Sequence, residues 1–224
     1  MANPNNELLN AVVARLGTFA NDFTFLGGCT VGLYITDPAA ANVRPTKDVD
    51  GIVQALTYAE YVRVEEKIAS LGFSRVEQPI CRWEIEGLLI DVLPVKGDFI
   101  GFRSKWFAEA VDSAIFREIK SGVTIRLINP VYLIATKLEA FHDRGKQDYL
   151  SSHDLEDILT LVNGREELID EINSSEGTVH QFICSSFKSL LAERYFLESI
   201  PGHLNPETER TEMIIDRIKR IAAD

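Results

Sequence analysis

Cysteine is scarce in this chain: three residues in 224, Cys29, Cys81 and Cys184, too far apart to form a C-x-x-C pair. That spacing excludes a zinc knuckle, a dithiol redox motif and a disulfide-stapled scaffold, leaving reduced, buried thiols as the expectation. Long apolar runs are missing as well. None approaches the ~18–20 residues that a bilayer crossing requires, so a membrane-spanning role is excluded. A positive excess is also lacking, since 23 Lys and Arg face 34 Asp and Glu for a formal net charge of -11. A general electrostatic grip on nucleic-acid phosphates is therefore disfavoured. The start MANPNNELLN has neither the charged nor the apolar region of a secretory signal, and a cytoplasmic protein is the expectation.

What is present is an ordinary globular composition, 46% hydrophobic and 25% charged, in a chain long enough to build its own core. The charge is uneven: residues 1–128 carry 13 basic and 16 acidic side chains, residues 129–224 carry 10 and 18. A polyanion meets less repulsion in the first part. Apolar periodicity predicts a helix over 5–20, a strand at 23–26 running into Gly27-Gly28, a short helix-like stretch to Tyr34, and an irregular loop, TDPAAANVRPT. A strand at 48–54 and a helix at 57–71, ended by Gly72, come next. Strands follow at 73–77, 81–86 and 88–93, then a helix at 104–112 and a strand pair, 114–119 and 123–128, around Ser121-Gly122. From Asn129, a cap before Pro130, helical spacing takes over, predicting helices 130–143, 153–163, 165–173, 178–198 and 206–222, the last with Asn205 and Pro206 at its start. The pattern is α+β: a mixed β-sheet with helices in residues 1–128, followed by an all-helical domain in 129–224.

The chemistry concentrates in TKDVD. Asp48 and Asp50 stand two apart on a strand and share a face, with α-carbons ~6.6 Å apart at a rise of ~3.3 Å per residue. Both carboxylates can converge on Mg2+, which takes hard oxygen ligands at ~2.1 Å and keeps substrate phosphates and waters as the rest of its shell. A D-x-D tripeptide alone is common, and two solvated acids on a strand edge is its everyday explanation. Asp91 in LLIDVLP shifts that balance, because a carboxylate on an apolar strand needs a cation or hydrogen bonds to compensate it. Three acids facing one point repel one another and favour ion binding. Gly27-Gly28 offers a backbone that a triphosphate can approach closely, with a glycine at 28 leaving room for phosphates or satisfying the turn. Two other phosphate motifs fail: GGCTVG does not fit G-x-G-x-x-G, and Gly145-Lys146 is followed by Gln147 where a P-loop has Ser or Thr.

Elsewhere the residues read more plainly. Lys137 shares a helical stripe with Leu133 and Phe141, as a snorkelling lysine does, and Asp154 suits the first turn of a helix. Arg44 is either a phosphate neutraliser or a solvated loop residue. His142 and His153 lack a second histidine at ligand spacing and read as surface or packing residues. Arg217, Lys219 and Arg220 read as a charged helix face.

Taken in order, a strand, Gly-Gly, R-P-T-K-D-V-D, a later apolar strand carrying an Asp, and a helical half with K-L-E-A and H-D-L-E-D-I, the chain resembles the nucleotidyltransferase superfamily. Within it, the resemblance is to the AbiEii/AbiGii toxin-related branch, over most of residues 20–165. It implies that Gly27 and Gly28 bind the nucleotide, that Asp48, Asp50 and Asp91 hold Mg2+, and that Lys137 and Asp154, with Asp157 beside it, serve in the helical half. Lys137 would act on the triphosphate, and the active site would lie between the two domains. The implied substrate is an NTP, the acceptor a hydroxyl on RNA, a tRNA end, a protein or a small molecule, and the implied partner an antitoxin protein. The commoner Gly-Ser turn is replaced here by Gly28-Cys29, and 20 positions separate Gly28 from Asp48. A small-molecule adenylyltransferase of antibiotic-modifying type and a catalytically silent nucleotide- or partner-binding module fit the same residues. Three intact acids favour an enzyme, because a silent module has no need to bear their repulsion.

Overall fold

Helical periodicity at the N-terminus yields α1 (Pro4–Leu16), which buries Leu9, Val12, Val13 and Leu16 along one stripe. It stops short of the predicted residue 20 because Gly17 takes a φ of 58°, the left-handed conformation that closes helices. In this computed structural model residues 4–40, 43–101, 104–120, 122–145, 148–204 and 208–223 are described. The chain divides into two units, Met1–Gly32 with Pro45–Asn129 and Leu33–Arg44 with Pro130–Asp224.

The first unit is built on a seven-stranded mixed sheet of order β3-β4-β5-β2-β1-β7-β6. Its strands are β1 (Phe23–Leu26), β2 (Asp48–Val53), β3 (Ser74–Arg75), β4 (Arg82–Ile85), β5 (Leu88–Pro94), β6 (Ile115–Lys120) and β7 (Val123–Leu127). The neighbours β2 and β5, and β1 and β7, run parallel, while the other pairs run antiparallel. Between β2 and β3 lies α2 (Tyr58–Ser70), opened by a capping box in which Thr57 and Glu60 satisfy each other's backbone amides. A short α3 (Phe107–Asp112) precedes β6. Strand alternation sets the two faces of the sheet: Val49 and Gly51 are buried, while Asp48 and Asp50 are half-buried on the opposite face. Gly51 also makes way for a core ring, since a Cβ there would lie 2.6 Å from Cδ1 of Phe23.

The second unit is helical: α4 (Pro130–Arg144), α5 (His153–Gly164), α6 (Leu168–Asn173), α7 (Thr178–Ala192), α8 (Arg194–His203) and α9 (Thr211–Ala222). Pro130 sits at the first position of α4, where its missing N–H costs nothing. Ser152 caps α5, its Oγ accepting from the Leu155 amide at 3.3 Å. The predicted helix 178–198 is two helices, broken at Glu193, whose backbone is extended. Ile183, Phe187 and Leu190 form one buried row. Phe196 falls about 240° around a continuous helix from Leu190 at 3.6 residues per turn. The break returns Phe196 to the interior, where it is fully buried. The last α-helix covers Thr211–Ala222, directly after a 3-10 turn at Thr208–Arg210, and the expected start at Asn205-Pro206 lies outside the described residues.

The segment Leu33–Arg44 groups with the helices. The amides of Thr36 and Asp37 both donate to the Gly164 carbonyl, at 2.8 and 2.9 Å, and Arg165 Nη1 donates to the Tyr34 carbonyl at 3.1 Å. Arg210 hydrogen-bonds Asp37, and that bond, followed by the Ala39 amide, holds the Asp37 carboxyl below the usual carboxylate range. The sequence division at Asn129 carries no sign of this excursion. Among the described residues no helix is long and apolar enough to cross a membrane.

Candidate functional site

The glycine turn after β1 is shaped by Asp50. Gly27 has a φ of 82°, and a Cβ on it would fall 1.9 Å from Asp50 Oδ2 and 2.8 Å from Asp50 Cγ. Glycine is required there twice over, for its conformation and for the close approach of the carboxylate. The Gly27 carbonyl accepts from the Thr30 amide at 3.2 Å and from Thr30 Oγ1 at 2.9 Å, which closes the turn. The left-handed residue of the pair is therefore Gly27. Gly28 opens a buried 3-10 turn and is outside the left-handed set, so the dihedral argument made for it belongs to its neighbour.

Sheet register aligns the acids. Asp50 on β2 pairs with Asp91 on β5, and Asp91 pairs in turn with Arg82 on β4. Paired residues point to one face of a sheet. Arg82 thus joins Asp48, Asp50 and Asp91 in a single row across three strands. Its Nε lies 2.7 Å from Asp91 Oδ1 and its Nη2 2.9 Å from Asp91 Oδ2, a bidentate fork. The same Nη2 lies 2.5 Å from Asp48 Oδ2, while Thr46 Oγ1 donates to Asp48 Oδ1 at 3.0 Å. The hydrogen bonds that Arg82 donates to Asp91, reinforced by the charges of Asp91, Asp48 and Asp50, raise the Arg82 pKa against the cost of burial. The cation that Asp91 was expected to need on its apolar strand is this guanidinium.

Next to it, burial first and the Asp91 charge second push the Cys81 thiol up to about 12, which keeps it protonated near neutral pH. All three cysteines are buried thiols. Among the described residues no group of three or more His, Cys, Asp and Glu side chains is arranged to hold a metal ion. Carboxylate oxygens are the hard donors that Mg2+ takes, and those of Asp48 and Asp91 are held here by the Arg82 guanidinium.

The second unit assembles a polar cluster of its own. Lys137 Nζ on α4 reaches Asp154 Oδ1 at 3.1 Å and Asp157 Oδ2 at 2.7 Å, the two acids standing one turn apart on α5. Arg44 grips Asp157 with two hydrogen bonds of 2.9 Å, and Arg144 Nε donates to Asp154 at 3.1 Å. Burial lowers the Arg44 pKa, but the hydrogen bond and charge of Asp157, with Glu156 and Asp154, outweigh it and the net shift is upward. Arg44 is therefore a largely buried, carboxylate-bound residue rather than a solvated loop arginine. Lys137 and Asp154 come together within the second unit, and Asp48, Asp50, Asp91 and the glycine turn come together within the first. Sequence reasoning did not single out Arg82. His142 Nε2 lies 3.3 Å from Ser186 Oγ, a packing contact, and Arg217 donates to the carbonyls of Val162 and Asn163 at 2.7 Å, closing the end of α5.

No family model matches this chain, and no curated protein sequence does either. Among solved structures it is similar to an antigenic nucleotidyltransferase-like protein from Paracoccidioides brasiliensis, with a TM-score of 0.53 and 18% identity, covering 89% of this chain and 92% of that one. The likeness does not reach the narrower AbiEii/AbiGii branch. At this identity it carries the architecture: the chain has an α+β, nucleotidyltransferase-like fold.

Proposed function

We propose that this protein is a metal-dependent nucleotidyltransferase that moves a nucleoside monophosphate from an NTP to a hydroxyl acceptor and releases pyrophosphate. The observation that carries the reading is the packing of the Gly27 turn directly against Asp50, with Asp91 in register beside it and Asp48 two residues away. Asp48, Asp50 and Asp91 would hold Mg2+. When bound, that ion supplies charge neutralisation for the phosphates and for the oxygens that attack and leave. Asp48 and Asp50 would supply ligands from one strand. Asp91 takes the proton of the acceptor hydroxyl, and the side-chain-free backbone at Gly27-Gly28 lets the triphosphate lie close to the carboxylates.

The motif resemblance supports a toxin-type transferase acting on RNA, a tRNA end or a protein hydroxyl, with an antitoxin protein as partner. Lys137 is held by two carboxylates, which supports a role in organising the helical unit; a role on the triphosphate would require it to leave them. Lys137→Met separates the two. The expected result is lower stability of the helical unit, by about 1–3 kcal/mol, with an unchanged KM for NTP in the folded variant. A folded, stable variant with a severalfold higher KM would place the lysine on the triphosphate.

Arg82 favours a second reading. Its ion pairs with Asp48 and Asp91 are what a silent nucleotide- or partner-binding module would use in place of metal. The deciding experiment incubates the protein with each NTP labelled at the α-phosphate, Mg2+, and total RNA or cell lysate. Label on a macromolecule together with pyrophosphate release is the expected result, and label on a metabolite would point to the small-molecule enzyme. Nucleotide binding with no labelled acceptor would favour the silent module.

A further inference from the structure

Arg82 stands where a metal ligand set would have to close. Mg2+ binds carboxylate oxygens directly at ~2.0–2.1 Å and tolerates little departure from octahedral geometry. The Arg82 fork takes both oxygens of Asp91, and its Nη2 also takes Oδ2 of Asp48, whose Oδ1 accepts from Thr46. A divalent ion shared by Asp48 and Asp91 and the bridging guanidinium therefore need the same oxygens. The arrangement also gives the guanidinium a way out. Its backbone is fixed by the β4–β5 pairing, whereas its side chain is 23% exposed and ends in a long, rotatable stem.

We propose that Arg82 is the built-in counter-cation of the acid row, holding Asp48 and Asp91 together until a divalent cation displaces it and thereby setting the metal affinity of the site. The inference rests on the nucleotidyltransferase reading. It makes Arg82 a positioning residue that acts through Asp48 and Asp91. In the metal-free protein the guanidinium offsets repulsion among carboxylates that are two residues apart on β2 and adjacent across β2 and β5. With the ion bound, the same charge becomes a competitor. A residue that merely preorganised the ligands would have the opposite effect on metal affinity.

The test is binding of Mn2+ alone, followed by electron paramagnetic resonance, in the wild-type protein, Arg82→Gln and Arg82→Lys. Arg82→Gln should bind Mn2+ at least tenfold more tightly than wild type, with Arg82→Lys in between, since an ammonium keeps the charge but loses the fork. Without metal, Arg82→Gln should melt at a lower temperature than wild type, and saturating Mn2+ should abolish that difference. Equal or weaker Mn2+ binding in Arg82→Gln overturns the proposal while leaving the transferase reading intact. Absence of Mn2+ binding in every form overturns both. If Arg82→Gln fails to fold, the wild-type protein still decides the matter through the Arg82 Nε–Hε resonance. It should shift and lose protection from exchange as Mg2+ saturates the site, and an unmoved resonance at calorimetrically confirmed saturation refutes displacement.

Discussion

Asp50→Asn should lose nucleotidyl transfer by on the order of 10³-fold, the scale on which removing one key electrostatic contact acts at a preorganised site. Asp50 is the centre of the row, with Asp48 two residues before it, Asp91 in register across β5, and the Gly27 turn packed on its carboxylate. Asparagine keeps the shape that meets Gly27 while removing the charge and turning one acceptor oxygen into an NH2 donor. The sheet should therefore stay folded, with a melting temperature equal to or slightly above that of wild type, because repulsion inside the row falls. Turnover measured with labelled NTP, alongside circular dichroism of the same sample, separates chemistry from folding. Undiminished turnover in folded Asp50→Asn would remove the acid row from the mechanism.

The contrast between Asp50 and Arg82 shows where sequence reasoning stopped. Period-2 alternation is enough to put Asp48 and Asp50 on one face, and the apolar run around Asp91 is enough to mark a costly carboxylate. The partner of Asp91 was within reach. Glu86 and Gly87 form a two-residue turn with φ values of 50° and 83°, the left-handed pair that suits a tight hairpin. Counting outward from such a turn pairs Ile85 with Leu88 and Arg82 with Asp91. Alternation within one strand does not carry this register, which emerges only when the two strands are paired across their turn.

Other contacts left no such trace. Arg44 and Asp157 are 113 residues apart, and nothing local to R-P-T-K or H-D-L-E-D announces their fork. The excursion of Leu33–Arg44 into the helical unit depends on the Gly164 carbonyl, a C-terminal helix group whose partner no periodicity reveals. The break at Glu193 was legible only as a phase change, because no glycine or proline marks it. Phe196 sits off the row set by Ile183, Phe187 and Leu190, and packing rather than propensity divides the helix.

Those long-range contacts also make the helical unit vulnerable at one residue. Asp157 has a side chain only 1% exposed, and it accepts from Lys137 at 2.7 Å and twice from Arg44 at 2.9 Å. Asp157→Ala leaves both cations beside an empty, dry position. Breaking a buried pair from one side costs about 3–5 kcal/mol, because the remaining charge stays desolvated without its partner. Lys137 retains Asp154 at 3.1 Å, so the larger share of the loss should fall on Arg44, whose other carboxylate, Glu156, lies 3.7 Å away. Hydrogen exchange of the α4 and α5 amides should show the drop directly. Replacing all three partners by apolar residues, Arg44→Met, Lys137→Met and Asp157→Leu, should cost less than Asp157→Ala alone, since the desolvation penalty disappears together with the attraction. A loss below about 1 kcal/mol for Asp157→Ala, the range of solvent-exposed pairs, would mean that water reaches the cluster and screens it.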